Sequence, residues 1–373
     1  MSNRSRLFSY KDTYDTVGSN ELFLQAMKDN CLFQYSHCPE YRKILDSEGF
    51  HPSMLQKYED IEKIPFLPTL LFKRHKLFSV PKGRMLFRST SSGTSGKVSE
   101  VGFTAGDLMC GLKMVLKVCK ARKLMSIVPA HCVVFGYKPR IGNKLGIAKT
   151  AFGITLFSPA LSRTYALKYK DGKYTPDLEG VLKSIQKHSR SRFPMRLIGL
   201  PAYTYFLMKM MEDRGIQVQL AKGSKIMLGG GWKQFYAEQA DKPEFYALAQ
   251  KVLGIGEDSI IEFFGAVEQP IFYCDCPNHR FHVPVFGRVI IRDPVTLKPV
   301  PNGTVGLVNL LTPMVKAVPI LSVMTDDLGI LHDGEQCGCG LTSPYLEILG
   351  RVGLSDIKTC AAGASEILEK VEL

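Results

Sequence analysis

The sequence predicts an α/β protein, and three patterns carry that prediction. Between residues 128 and 228, β-branched runs alternate with amphipathic helical stretches. Before them, apolar residues from about Asn20 to Asp60 recur at helical spacing. After them, from Phe281 through Val323, further β-branched runs are divided by Asp293-Pro294 and Pro301-Asn302-Gly303. Alternating strand and helix builds a helix-covered sheet, whereas short strands split by turns build an antiparallel region.

The N-terminal segment carries Leu22, Phe23, Ala26, Met27, Cys31 and Tyr35, then Tyr41, Ile44 and Leu45, with Pro39 breaking the run. This spacing predicts a helical segment within residues 1–63. Ile64 to His75 holds Pro65 and Pro68 and is expected to be extended. Arg84 to Phe87 and Val98 to Phe103 read as short strands. Asp107 to Lys123 is amphipathic, and its Leu108, Leu112, Val115 and Leu116 are expected to face the core. Val128–Tyr137, Met195–Leu200 and Lys225–Leu228 read as buried strands, with helices over Leu178–His188 and Tyr203–Arg214.

At 373 residues and 45% hydrophobic, the chain is long and apolar enough to bury a sizeable core. Its formal net charge of +13 favours an anionic ligand or an acidic partner. The lysines are spread from Lys11 to Lys370 without a dense block, and aromatic residues are not interleaved with them, so no nucleic-acid groove is expected. The basic start leads into a polar segment holding Lys11, Asp12 and Asp15 rather than a signal-peptide apolar core. No apolar run approaches a membrane span. The expectation is a soluble, cytoplasmic protein. In that setting, ten cysteines read as free thiols, metal ligands or a catalytic thiol rather than a disulfide framework.

The chemistry concentrates first in Ser89-Thr90-Ser91-Ser92-Gly93-Thr94-Ser95-Gly96-Lys97, where six hydroxyls, two glycines and one lysine occupy nine positions. Glycine lets backbone N–H groups approach an anion, hydroxyls donate to phosphate oxygens and lysine supplies compact charge. Serine at position 91 rules out the Walker pattern. By composition alone the stretch suits either an anion-binding loop or a flexible hydroxyl-rich turn. Met227-Leu-Gly-Gly-Gly-Trp232 sets three glycines after a strand. Cys274-Asp-Cys276 with His279 and His282, and later Cys337-Gly-Cys339, set thiols beside turn residues. Two such segments can close a tetrahedral zinc site, or remain ordinary reduced thiols.

The hydroxyl-rich stretch resembles the phosphate loop of adenylate-forming enzymes, and further stretches in the same order are similar to that superfamily. Ile261-Glu-Phe-Phe-Gly-Ala-Val-Glu268 resembles its aromatic-Gly-x-x-Glu motif, with Phe in place of the commoner Tyr. Met324-Thr-Asp-Asp-Leu-Gly329 resembles Thr-Gly-Asp with Asp at the usual glycine. Gly350-Arg-Val-Gly-Leu-Ser-Asp-Ile-Lys358 is similar to the hinge motif, with two residues more before the aspartate and one fewer after it. Over most of the chain the pattern resembles the acyl-protein synthetase (LuxE) family, within the phenylacetate-CoA-ligase-like adenylate-forming superfamily.

That resemblance implies ATP and Mg²⁺. Thr90, Ser91, Ser92, Gly93, Thr94, Gly96 and Lys97 would hold phosphates, while Gly229, Gly230, Gly231, Phe264 and Gly265 would lie at adenine. Glu268 would hold Mg²⁺, Asp327 the ribose hydroxyls, Arg351 the ribose or a phosphate, and Lys358 would be the assisting lysine. Similarity to phenylacetate-ligase-like enzymes implies Cys276, His282, Cys337 and Cys339 as structural zinc ligands, with Cys274 the spare. Cys360 matches the family's acyl-accepting cysteine near the C-terminus; read without the resemblance, it is a small filler beside alanines.

The resemblance therefore implies an adenylate-forming catalytic domain over residues 1–349, with a β-rich C-terminal part, and a short C-terminal segment over 350–373. A carboxylic acid, of the long-chain fatty class, becomes acyl-AMP and then a thioester on Cys360, for delivery to a partner acyl reductase using NADPH. The chain has no dinucleotide fingerprint of its own. Two alternatives stand beside this: a ligase joining an acid to CoA or a carrier protein, and a non-catalytic nucleotide-binding scaffold for a reductase.

Overall fold

Chain order does not follow spatial grouping in this protein. One compact unit is built from Met1–Ala121 together with the chain from Gly265 onward, and Arg122–Phe264 forms a second unit inserted between them. The computed structural model describes residues 1–91, 99–139, 146–170, 173–232, 235 and 238–351.

The first unit opens with α1 (Asn3–Leu7), α2 (Asn20–His37) and α3 (Pro39–Ser47). Pro39 starts α3, where a missing backbone donor costs nothing, so the proline divides two helices rather than ending the helical segment. Strand β1 (Leu67–Pro68) leads straight into α4 (Thr69–Arg74). The stretch expected to be extended is thus helical after Pro68, which sits just outside the helix with β-region dihedrals. β2 (Phe87–Thr90) and β3 (Glu100–Phe103) form a two-stranded antiparallel ribbon, and α5 (Ala105–Ala121) follows.

Helix α5 corrects an expectation. Its buried residues are Asp107, Cys110, Met114, Val118 and Cys119, while Leu108, Leu112 and Leu116 are exposed. Asp107 turns the helix this way. Its fully buried carboxylate accepts from Arg4 Nη1 at 2.5 Å, from the Lys316 backbone N–H at 3.0 Å and from Thr104 N–H at 2.9 Å. A buried carboxylate needs such partners, and they lie on one side of the helix only.

The inserted unit contains β4 (Ala130–Tyr137), α6 (Gly146–Ile154), β5 (Ala160–Lys170), β6 (Lys173–Pro176), α7 (Leu178–His188), β7 (Met195–Gly199), α8 (Pro201–Asp213), β8 (Lys225–Gly229), α9 (Lys242–Leu253) and most of β9 (Ile260–Ala266). Its strands lie in the order β9-β8-β7-β4-β5-β6, parallel except for the β5–β6 pair. Asp177 and Asp241 cap α7 and α9 by accepting from Gly180 and Glu244 N–H, and Gly254 closes α9 in the left-handed region. Phe135, Leu197, Leu207, Met211, Ile226 and Val252 belong to its apolar core. Gly199 has φ +136°, and a Cβ there would lie 2.3 Å from the Phe135 carbonyl oxygen. Only glycine lets β7 end this close to β4.

The chain then returns to the first unit as β10 (Gln269–Cys274), β11 (Phe281–His282), β12 (Arg288–Arg292), β13 (Val305–Leu311), β14 (Ser322–His332) and β15 (Tyr345–Arg351). Antiparallel pairing gives the order β11-β15-β14-β13-β12. β1 adds in parallel at Val323 and Met324, where β14 is not paired to β15. The N-terminal helices dock on this half. Asn30 Nδ2 donates to the Pro313 and Val315 carbonyls at 3.1 and 2.9 Å, and Gln34 Nε2 donates to those of Val315, Lys316 and Val318.

Candidate nucleotide site and metal centre

The expected nucleotide contacts fall in both units. In the first, β2 delivers Thr90 opposite Glu100. Ser91 N–H donates to the Ser99 carbonyl at 3.1 Å, and Ser99 N–H donates to Ser91 Oγ at 3.0 Å. Ser91 thus clasps the base of the hydroxyl-rich loop. Ser92, Gly93, Thr94, Gly96 and Lys97 lie outside the described residues.

Glu268 is buried, 5% exposed, between β9 and β10. Asp327 on β14, expected at ribose, stands in backbone register with Arg351 on β15. Its neighbour Asp326, whose role the sequence left open, accepts from Thr69 Oγ1 at 2.9 Å. That bond ties the start of α4 to β14. A carboxylate in a Thr-Asp-Asp run carries no sequence signal for such a tie, so sequence reading missed it. Lys358 and Cys360 lie outside the described residues.

In the inserted unit, Gly229 ends β8 and the chain turns through Gly230 at φ +88° and Gly231 at φ +65°. These dihedrals favour glycine and bare the backbone at the carboxyl end of a parallel strand, where α/β ligand sites form. Phe264 lies half-buried on β9, and Gly265 is exposed at the return to the first unit.

One expected set converges fully within the first unit. Cys276 lies in the turn after β10, His282 on β11, Cys337 at the end of a 3-10 turn and Cys339 two residues on, past Gly338 in the left-handed region. Their ligand atoms all lie within 4.8 Å of one another. Cys276 Sγ is 3.4 Å from Cys337 Sγ, and Cys339 Sγ is 3.2 Å from His282 Nε2. Tetrahedral zinc with Zn–S near 2.3 Å sets sulfurs about 3.8 Å apart, close to this spacing.

The surroundings orient these ligands. His282 Nδ1 donates to the Ser343 carbonyl at 2.7 Å, which leaves Nε2, turned toward Cys339, as the ring nitrogen placed for a metal. Asn278 N–H donates to Cys276 Sγ at 3.3 Å, and Asn278 Nδ2 donates to the Cys337 carbonyl at 2.6 Å. Burial, with hydrogen bonds to Cys276 and Cys339, pushes the Cys337 thiol up to about 12. A cation there favours the thiolate instead. Cys274 is buried outside the cluster, its Sγ 3.9 Å from Asp275 Oδ1.

Known proteins place this geometry in a family. The long-chain-fatty-acid–luciferin-component ligase of Vibrio harveyi is 27% identical over 361 residues, covering 93% of this chain and 88% of its own. The phenylacetate-coenzyme A ligase of Thermus thermophilus is 25% identical over 339 residues, covering 88% of this chain and 69% of its own. The crystal structure of a 2-hydroxyisobutyryl-CoA ligase in complex with 2-HIB-AMP and CoA aligns with TM-score 0.66 at 17% identity, covering 93% of this chain and 77% of that one. The fold is that of the adenylate-forming ligases. The family described as "Acyl-protein synthetase, LuxE" matches residues 13–369, so the chain belongs to the LuxE acyl-protein synthetase family.

Proposed function

We propose that the chain is an ATP-dependent acyl-protein synthetase that activates a carboxylic acid of the long-chain fatty class and carries it on Cys360 as a thioester. One observation carries this reading. The family match runs from residue 13 to 369 and so includes both the hydroxyl-rich loop and the segment holding Cys360.

In the first half, a carboxylate oxygen attacks the α-phosphorus of ATP. The acyl–phosphate bond forms as the α–β bridge breaks and pyrophosphate leaves. Thr90, Ser91, Ser92, Gly93, Thr94, Gly96 and Lys97 hold the phosphates, Glu268 holds Mg²⁺, and Asp327 and Arg351 hold the sugar region. Gly229 to Gly231 and Phe264 with Gly265 bound the adenine. Lys358 assists by its charge. Catalysis at this stage is charge stabilisation rather than covalent help.

In the second half, Cys360 loses its proton to solvent and its sulfur attacks the acyl carbonyl. The carbon–sulfur bond forms as AMP departs with the bonding pair. The thioester keeps the acyl group activated for a partner acyl reductase that uses NADPH. Residues 1–349 act as the catalytic body and 350–373 as the carrier segment, in the cytoplasm. Cys276, His282, Cys337 and Cys339 hold a structural zinc, which joins two stretches of the β-rich half.

Intact-mass measurement after incubation with ATP, Mg²⁺ and a mixture of fatty and aryl acids tests the reading, beside a Cys360→Ser control. A hydroxylamine-labile acyl adduct on the wild type alone is expected. Pyrophosphate release without an adduct would instead assign transfer to CoA, the acceptor in the name of the phenylacetate-coenzyme A ligase relative, or to a carrier protein.

A further inference from the structure

Helix α5 has two apolar faces: one is buried along its length, and the other is exposed only as far as Leu116, before the fully buried Cys119 on the same side. Cys110, Met114 and Val118 point inward with Asp107. On the other side Leu108, Met109, Leu112 and Leu116 are 37%, 54%, 53% and 45% exposed. At about 100° per residue these four fall within an arc of about 100° that runs along roughly two turns. Lys113, Lys117 and Lys120 follow along one edge of that arc. Lys113 Nζ donates to Ser9 Oγ at 2.9 Å and Lys117 Nζ to the Tyr10 carbonyl at 2.5 Å, so the segment just ahead of the exposed Lys11 packs on that edge.

We propose that this face of α5 seats the protein on an anionic lipid surface. An exposed aliphatic stripe bordered by lysines is the composition of a helix lying in a bilayer interface, with hydrocarbon inward and ammonium groups at the headgroup phosphates. A second copy is disfavoured, because each carries a net charge of +13 and would bring like charge to like. The four side chains of the stripe carry no nitrogen or oxygen, which suits hydrocarbon better than the hydrogen-bonded surface of an acidic protein. Lipid is therefore favoured over an acidic protein. The preference also rests in part on the proposed function, since a long-chain acid partitions into bilayers. The seat would place the enzyme where that substrate is dissolved.

Co-sedimentation of the full chain with vesicles tests this, using equal parts phosphatidylglycerol and phosphatidylcholine against phosphatidylcholine alone. Binding to the anionic vesicles is expected, at least about tenfold tighter than to neutral ones and weakened by salt. Leu112→Glu with Leu116→Glu should abolish it at an unchanged melting temperature, and Lys120→Glu should weaken it about fivefold. If the double glutamate variant melts early, the Leu112→Ser/Leu116→Ser pair takes its place.

Absence of vesicle binding overturns the proposal, as does binding that ignores both pairs of substitutions. A wild-type dimer that becomes monomeric in the variant assigns the face to a second copy. Capture of soluble polyglutamate without vesicle binding assigns it to an acidic protein. Pyrophosphate release with water-soluble octanoate is read in parallel. Its loss would sink the adenylation reading and leave the vesicle result standing.

Discussion

The guanidinium of Arg288 lies 4.2 Å above the ring of Phe23, so a cation at the start of β12 rests on an aromatic of α2. Its nitrogens donate to the Thr16, Val285 and Gly287 carbonyls, to Ser19 Oγ, to Asn20 Oδ1 and to Tyr58 Oη, and the side chain is buried. These are neutral acceptors, and removing the donor strands them all at once. Arg288→Leu is expected to cost about 3 kcal/mol or more in urea unfolding. A loss below about 1 kcal/mol would show that the N-terminal segment docks without this anchor.

Metal content tests the Cys/His cluster directly. Elemental analysis of protein purified without chelator should return about one zinc per chain. Cys337→Ser or His282→Gln should empty the site and lower the melting temperature. Ser343 holds His282 Nδ1 mainly through its carbonyl at 2.7 Å, with its Oγ farther off at 3.4 Å, so Ser343→Ala should retain the metal. Zinc-free wild-type protein with an unaltered melting temperature after zinc addition would remove the centre from the proposal.

Stability should also fall in mild acid, through two histidines of the inserted unit. The rings of His131 and His188 stack with centroids 3.8 Å apart. His131 Nδ1 lies 2.9 Å from Ser162 Oγ and Nε2 lies 3.3 Å from Ser191 Oγ. Burial lowers both pKa values, with Lys187 contributing to both and His188 to that of His131. The folded state therefore binds fewer protons than the unfolded chain, so stability is full above the unfolded value of about 6.5 and declines as pH falls below it. His131→Asn should flatten the melting temperature between pH 7.5 and 5.5. An equally steep decline in that variant would assign the acid sensitivity to other groups.

Thiol reactivity should be uneven. Burial pushes Cys31 and Cys119 up to about 12 and Cys38 to about 11, so each stays protonated at neutral pH. Peptide mapping after iodoacetamide at pH 7.5 should find these three unmodified in native protein and modified in urea. Modification without denaturant would mean that α2 or α5 opens readily.

Local signals carried only part of the inserted unit, and α6, β5, β6 and α9 went unread. Leu178–His188 was legible residue for residue, because apolar spacing and a capping Asp177 agree. β4, β7 and β8 were legible as short, mostly apolar runs, because strands buried on both faces need not alternate. α5 was misread for a physical reason. Period alone gives it two acceptable apolar faces, and the choice is made by Arg4 and Lys316, which no local window contains. α4 was misread because Pro68 was taken as a breaker, whereas proline just ahead of a first turn is compatible with a helix. Within the candidate site, Asp327 and Arg351 could be chosen only by family resemblance, because their register across β14 and β15 is a property of the sheet. The partner of Asp326 was invisible, since Thr69 lies 257 residues away.

The split first unit has a consequence for synthesis. The carbonyls that Asn30 captures at Pro313 and Val315 lie 283 and 285 residues downstream, and the Met314 carbonyl that Arg4 takes lies 310 downstream. While a ribosome is still making the inserted unit, α1 to α5 have left the exit tunnel without the strands that cover them. Phe23, Leu24, Met27 and Cys31, all at 0% exposure in the finished fold, then face water for the time needed to translate the rest of the chain. The inserted unit completes its own core first. Holdase chaperones should accordingly recognise the nascent chain through its first sixty or so residues, and release it only after β14 emerges.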